Sequence, residues 1–191
     1  KWLHKSSAEP TANSAALLDI VIESGEQGRG GAGFLTGAKW RATATIDSAH
    51  KVVIANGDEG DPGSYIDRLL LECDPHAVLE GLALCAFAVG AARGMVYVRS
   101  EYPLALRRMQ QAVAEATAAG ILGPASADFP LAIDVSVVTG HGSYVCGEET
   151  ALLNAIEGRR GEVRIRPPYP SAVGLHGQPT VVNNIETLVN I

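Results

Sequence analysis

The chain has 191 residues, 47% hydrophobic and 19% charged, which suits one sizeable α/β domain with a well-filled core. Its net charge of −6, from 15 Lys+Arg against 21 Asp+Glu, excludes the basic face of a nucleic-acid binder. The longest apolar run, Ala77–Ala92, is interrupted by Glu80 and falls short of the roughly 20 residues that span a bilayer, so direct membrane insertion is excluded too. The cysteines, Cys73, Cys85 and Cys146, have no C-x-x-C spacing. They offer neither a disulfide framework nor an iron–sulfur or zinc site, and fit a reducing compartment.

The opening "KWLHKSSAEP" lacks an initiator Met and reads as a fragment or processed form, with residues 1–12 polar and loose. "AALLDIVIES" (15–24) has helical spacing and stops before Gly25. The stretch "QGRGGAGFLTGAKW" (27–40) follows, with Gly28, Gly30, Gly31 and Gly33 close together and Lys39 beyond. "KVVIAN" (51–56) reads as a buried strand, "GDEGDPGSYIDR" (57–68) as an acidic loop, and about 75–92 as a helix. "GMVYVR" (94–99) and "LAIDVSVV" (131–138) are two more strands, separated by a helix over Pro103–Ala119. A glycine-bearing loop, "TGHGSYVCG" (139–147), enters a helix near Glu148–Ile156, and a short last helix begins at Asn183–Asn184. Successive strand–helix units predict a Rossmann-like, mainly parallel sheet with helices on both faces, and a site beyond the strands' carboxyl ends.

The glycine stretch satisfies G-x-G-x-x-G, but its context fails the dinucleotide fingerprint. A helix precedes it, and "FLTGAKW" carries Thr36 and Gly37, which are poor helix formers. It is not a phosphate loop either, because Ala38 separates Gly37 from Lys39 and Trp40 stands where a hydroxyl is needed. Its chemistry still suits a nucleotide: bare backbone N–H groups approach anionic oxygens and Lys39 adds charge. A glycine-rich turn between helices is the plainer alternative. "NGDEGDPGS" (56–64) gathers Asn56, Asp58, Glu59 and Asp61, suited to ribose hydroxyls or a heterocycle edge; a calcium loop would need a later bidentate Glu. In "GSYVCGEET" (142–150), Glu148 and Glu149 either serve a ligand or complement a helix dipole. In "VVNNIET" (181–187) the Asn pair is a helix cap or a phosphate seat.

Together these blocks resemble one family. "GRGGAGFLTGAKW", "NGDEGDPGSYIDR", "GSYVCGEETALLNAIEGRRG", "RPPYP" and "GQPTVVNNIETL" are similar, in order and spacing, to the NADH-oxidising flavoprotein subunit of respiratory complex I. They also resemble the diaphorase subunits of NAD-linked formate dehydrogenases and hydrogenases, and "GDEGDPG", "SEYPLA" and "GQPTVVNN" look closer to that soluble branch.

The resemblance implies an FMN- and NADH-binding domain over residues 25–191 with residues 1–24 as an extension and helix. It places Gly28, Arg29, Gly30 and Lys39 toward FMN, and Asn56, Asp58 and Glu59 on the flavin's polar parts. Tyr144, Gly147 and Glu148 would line the flavin cavity, and Asn183, Asn184 and Thr187 would anchor the ribityl-phosphate end. NADH would fall to Gly31, Gly33, Phe34 (stacked on the adenine), Asp61, Glu149 (near the nicotinamide), Arg166 and Tyr169. The chain departs from the family at Asp61 (commonly Glu), Arg166 (Lys), Tyr169 (Phe), Ala42 (aromatic) and His141 (Ala).

The family's ubiquitin-like domain and its C-x-x-C-x-x-C 4Fe–4S segment are absent from residues 1–191, and Cys146 reads as a packing residue. Hydride would pass from NADH to FMN and electrons onward to an iron–sulfur centre elsewhere. The 4Fe–4S cluster is expected in the missing C-terminal domain or a partner, and an iron–sulfur subunit of the 2Fe–2S thioredoxin-like type is the expected partner in the same complex. No side-chain acid or base is assigned. The expected place is the cytoplasm, as part of a larger complex that can sit on the inner face of a membrane. Two other readings stay open: an FMN-binding module without turnover, and a flavin-free NAD-dependent dehydrogenase.

Overall fold

In the computed structural model, residues 10–125 and 132–191 are described, and the side chains of 10–12 are not. The elements are α1 (Pro10–Ser24), α2 (Thr36–Ala44), β1 (Val52–Gly57), α3 (Ile66–Cys73), α4 (Pro75–Val89), β2 (Arg93–Val98), α5 (Pro103–Ala118), β3 (Asp134–Thr139), α6 (Glu149–Ile156), β4 (Thr180–Asn184) and α7 (Ile185–Val189). The four strands run parallel in the order β3-β2-β1-β4. The chain moves outward from β1 through β2 to β3, then returns to the opposite side of β1. A crevice between β1 and β4 therefore opens at the carboxyl ends, where the winding direction reverses.

Alternation along the strands divides the core. Val53, Ala55, Val96, Val98 and Val181 face a large cluster with α1, α4, α5 and α7. Val52, Ile54, Met95, Tyr97 and Val182 face a smaller one with Leu152 and Leu153 of α6, together with Cys146 and Leu175. Helices thus cover both faces, unequally. The central helix α4 is apolar almost all round and nearly enclosed. It is started by Asp74, whose carboxylate accepts from Ala77 N–H at 3.2 Å, and stopped by Gly90 at φ 73°. Gly81 lets α4 meet α7 backbone to backbone: a Cβ there would lie 2.1 Å from the Leu188 carbonyl oxygen.

Several expectations are corrected. Helix α1 starts at Pro10, so residues 10–12 belong to it, while 1–9 lie outside the described residues. Thr36 and Gly37 open α2, contrary to the expectation that they oppose a helix. At a first turn their low propensity costs little, and Gly37 is required because a Cβ would come within 2.5 Å of Ile22 on α1. The acidic loop ends sooner than expected, at α3, and the helix placed over 75–92 stops at Val89. The third strand begins at Asp134, and Leu131 lies outside the described residues. Residues 180–184, which the pattern does not mark as a strand, form the edge strand β4 beside β1, so the last helix begins at Ile185, after the expected Asn183–Asn184.

Candidate functional site

The carboxyl ends of β1 and β4 finish in register, Ala55 opposite Asn183 and Asn56 opposite Asn184. A cavity of about 1090 Å³ opens above them, at the upper end of the range for ligand pockets. The glycine loop, the acidic loop, the loop before α6 and the segment around Arg166–Ser171 enclose it. Every residue expected at the site lines this cavity except Gly33 and Thr187. Gly33 turns the glycine loop at φ 61°, and Thr187 is fully buried behind it.

The glycine loop is closed at its base. Gly28 N–H donates to the Phe34 carbonyl at 2.9 Å and Thr36 N–H to the Glu26 carbonyl at 2.9 Å. Arg29 N–H donates to Thr187 Oγ1 at 2.9 Å, tying the loop to α7, while the Arg29 guanidinium turns to Glu26 at 3.2 Å. Gly31, at φ 98°, has nothing within 4 Å of where a Cβ would stand, so bare backbone faces the open cavity. Phe34 is 57% exposed, and Ala42 lines the same cavity.

The opposite wall carries alternating charge. Lys39 Nζ reaches Glu149 Oε2 at 3.1 Å and the Val182 carbonyl at 2.9 Å. Arg166 meets Glu149 at 3.1 Å and Glu148 at 3.4 Å. Glu148 also caps α6, accepting from the N–H groups of Thr150 and Ala151 at 2.9 and 3.0 Å, and lines the cavity as well. Tyr144 donates to Asp61 at 2.6 Å, with its ring against Gly60, where a Cβ would come within 2.6 Å. Tyr169 lies exposed farther along.

The acidic loop is held from behind. Asn56 donates to the Gly147 carbonyl at 3.0 Å and accepts from Asp58 N–H at 3.0 Å. Glu59 is buried and serves the start of α3, accepting from Ser64 Oγ and the N–H groups of Asp67 and Arg68 at 3.0, 3.1 and 3.2 Å. Burial pushes the Asp58 carboxyl up to about 6, opposed by Arg99 at 3.6 Å. Its Oδ2 is buried with no hydrogen-bond partner among the described residues. An orphaned acceptor in a cavity wall fits a ligand that brings its own N–H or O–H donor. That acceptor and the bare glycine backbone fit an organic ligand that carries both a hydrogen-bond donor and an anionic group such as phosphate.

Asp67 is a site residue that the sequence does not single out, although it lies within the "NGDEGDPGSYIDR" block. It lines the cavity, is 5% exposed, and its carboxyl sits at about 7, raised by burial and then by Glu59. Its visible signal is a carboxylate in the first turn of an amphipathic helix. Cys146 is buried as packing requires, and among the described residues no group of His, Cys, Asp and Glu is arranged to hold a metal. No helix there is long and apolar enough to cross a membrane.

Residues 21–191 match the family model for the Nuo51 FMN-binding domain. An NADH-quinone oxidoreductase subunit of Rhizobium meliloti (strain 1021) is 45% identical over 97% of this chain and 44% of its own length. The HndC subunit of the NADP-reducing hydrogenase of Solidesulfovibrio fructosivorans is also 45% identical, over 95% of this chain and 37% of its own. These two relatives are equally identical to the chain. The crystal structure of an NAD+-reducing NiFe-hydrogenase in the air-oxidized state superposes with a TM-score of 0.84 at 39% identity, over 98% of this chain and 30% of that one. The chain spans less than half the length of these relatives, which are named as subunits of oxidoreductases and hydrogenases. By its sequence over residues 21–191 and by its parallel α/β fold, the chain belongs to the Nuo51 FMN-binding domain family.

Proposed function

We propose that residues 25–191 form the FMN- and NADH-binding domain of an NADH-oxidising flavoprotein, with residues 1–24 as an extension. The observation that carries this reading is the convergence of the glycine loop, Asn56, Asp58 and the Asn183–Asn184 pair on one cavity where the sheet changes winding direction. FMN bound there supplies the hydride-accepting and electron-passing chemistry.

The chain's own residues bind, orient and screen. Asp58 Oδ2 offers a desolvated acceptor to a flavin N–H, and Asn56 keeps that loop fixed through Gly147. Backbone N–H groups of the glycine loop and the Asn184 side chain suit the ribityl-phosphate end. Lys39 and Arg166 flank Glu149 and stop its carboxylate from standing as a bare charge beside the rings. Phe34, exposed in the cavity lining, suits the adenine, and Asp61 suits a ribose diol.

Electrons leave to an iron–sulfur centre beyond residues 25–191, in a further domain or a partner, with a 2Fe–2S thioredoxin-like subunit as the partner of the same complex. The assembly belongs to an NADH dehydrogenase, or to a formate dehydrogenase or hydrogenase of the soluble branch. It is placed in the cytoplasm or on the inner membrane face. NADH-dependent ferricyanide reduction by the FMN-loaded protein tests the reading. Turnover is expected; FMN retention without turnover would leave a binding module, and no FMN retention would overturn the proposal.

A further inference from the structure

Asp67 joins the two ends of the cavity floor. Its Oδ2 accepts from Asn184 Nδ2 at 2.5 Å and its Oδ1 from Glu186 N–H at 3.3 Å, while its own N–H is held by Glu59. Asn184 in turn accepts from Thr187 N–H at 3.3 Å, and Thr187 Oγ1 accepts the Arg29 N–H of the glycine loop. One continuous chain of hydrogen bonds therefore runs from the acidic loop through Asp67 and Asn184 to the glycine loop.

The charges around it have one sign. Glu59 faces Asp67 from the acidic loop and Glu186 from α7. The nearby cations point elsewhere. Arg68 turns to Glu72 at 2.9 Å and over the Tyr102 ring, Arg29 pairs with Glu26 and acts on Glu186 only at longer range, and Lys39 turns to Glu149. At the start of α5, the Tyr102 hydroxyl is directed to Glu59. Among the described residues Glu59, Asp67 and Glu186 form no ion pair, although all three line the cavity. An anion entering this end meets carboxylates at close range, and the group able to relieve the repulsion is the one already shielded from water.

We propose that Asp67 is a positioning residue of the flavin seat that takes up one proton when the ligand's phosphate enters, so that the cavity binds a phosphate dianion together with a proton. The inference rests on the FMN reading and deepens it. Burial and Glu59 already hold the Asp67 carboxyl at about 7, so the phosphate need only move it further in the same direction.

Calorimetric titration of the purified protein with FMN and with riboflavin, in two buffers of different ionisation enthalpy at about pH 8, counts the protons. At this pH the phosphate's own second ionisation, near 6, is essentially complete. Wild type is expected to take up a proton with FMN and none with riboflavin, a comparison that needs no variant. Its FMN affinity falls above the Asp67 range by up to about tenfold per pH unit. Asp67→Asn cannot titrate, and its amide can accept from only one of the two donors, Asn184 Nδ2 and Glu186 N–H; it loses both the proton uptake and the pH slope. Equal proton counts for FMN and riboflavin, or for wild type and Asp67→Asn, overturn the inference and leave the FMN reading standing. Absence of FMN binding by wild type overturns both.

Discussion

Lys39 and Glu149, 110 positions apart in the chain, meet at 3.1 Å on the cavity wall. The same ammonium holds the Val182 carbonyl at 2.9 Å, and the same carboxylate reaches Arg166 at 3.1 Å. Both side chains are partly buried, so removing Lys39 leaves Glu149 held by Arg166 alone and the Val182 carbonyl without its donor. Lys39→Met, which keeps the stem, is expected to lower stability by about 1–2 kcal/mol in chemical denaturation and to weaken FMN binding about tenfold. An unchanged unfolding midpoint would show that water replaces the pair without cost.

Tyr144 and Asp61 lie at the mouth, and the proposed role of Asp61 makes nucleotide choice a matter of charge. A carboxylate near the adenosine ribose repels a 2′-phosphate. Asp61→Asn is expected to lower the NADPH-to-NADH ratio of KM by about 5- to 10-fold, roughly 1 kcal/mol of relieved repulsion. Tyr144→Phe removes the 2.6 Å hydrogen bond but keeps the charge, so the ratio should hold. Michaelis constants for both nucleotides decide; a ratio that follows Tyr144 and ignores Asp61 would refute the charge argument.

Asp58 and Asp67 give stability a specific pH dependence. Burial is the first cause in both, raising them from 3.8 to about 6 and about 7 respectively. A raised carboxyl means that the native state binds more protons than the unfolded chain between the two values. Their contribution to stability is therefore greatest at or below the unfolded value and declines as pH rises from 3.8 through about 6 for Asp58 and about 7 for Asp67. Melting temperatures of the flavin-free protein across this window should fall less steeply in Asp58→Asn and Asp67→Asn than in wild type. Parallel curves would mean that neither carboxyl titrates as its surroundings require.

Gly81 does not line the cavity yet is expected to control FMN binding there. A Cβ there lies 2.1 Å from the Leu188 carbonyl oxygen, and α7 carries the buried Thr187 that holds the glycine loop. Gly81→Ala should push α7 outward, cost about 1–3 kcal/mol or more, and release FMN more readily. Gly90→Ala, strained by its positive φ but with nothing within 4 Å, should destabilise without changing FMN affinity in the folded fraction. Equal flavin affinity in the Gly81 variant would separate α7 from the seat.

Much of the fold is legible in the residues. Strands β1 and β2 are short apolar runs, and α4 and α5 are long segments with clear stops, so pattern alone locates them. Strand β4 is hidden because "TVVNN" is only five residues long and becomes a strand by pairing with β1. Helix α2 is hidden because its two weak helix formers sit in the first turn, where close packing on Ile22 favours a small residue. The cavity residues are reached through motif resemblance. Asp67 escapes because its significance is spatial: its partners, Asn184 and Glu186, lie more than 100 positions away.

The most direct measurement is the visible spectrum of the purified protein after mixing with FMN, removing free flavin and adding NADH without oxygen. Retained yellow colour that bleaches on NADH is the expected result, showing flavin site and hydride transfer in one sample. A colourless protein, or a flavin spectrum unchanged by NADH, would contradict the proposed NADH-oxidising role.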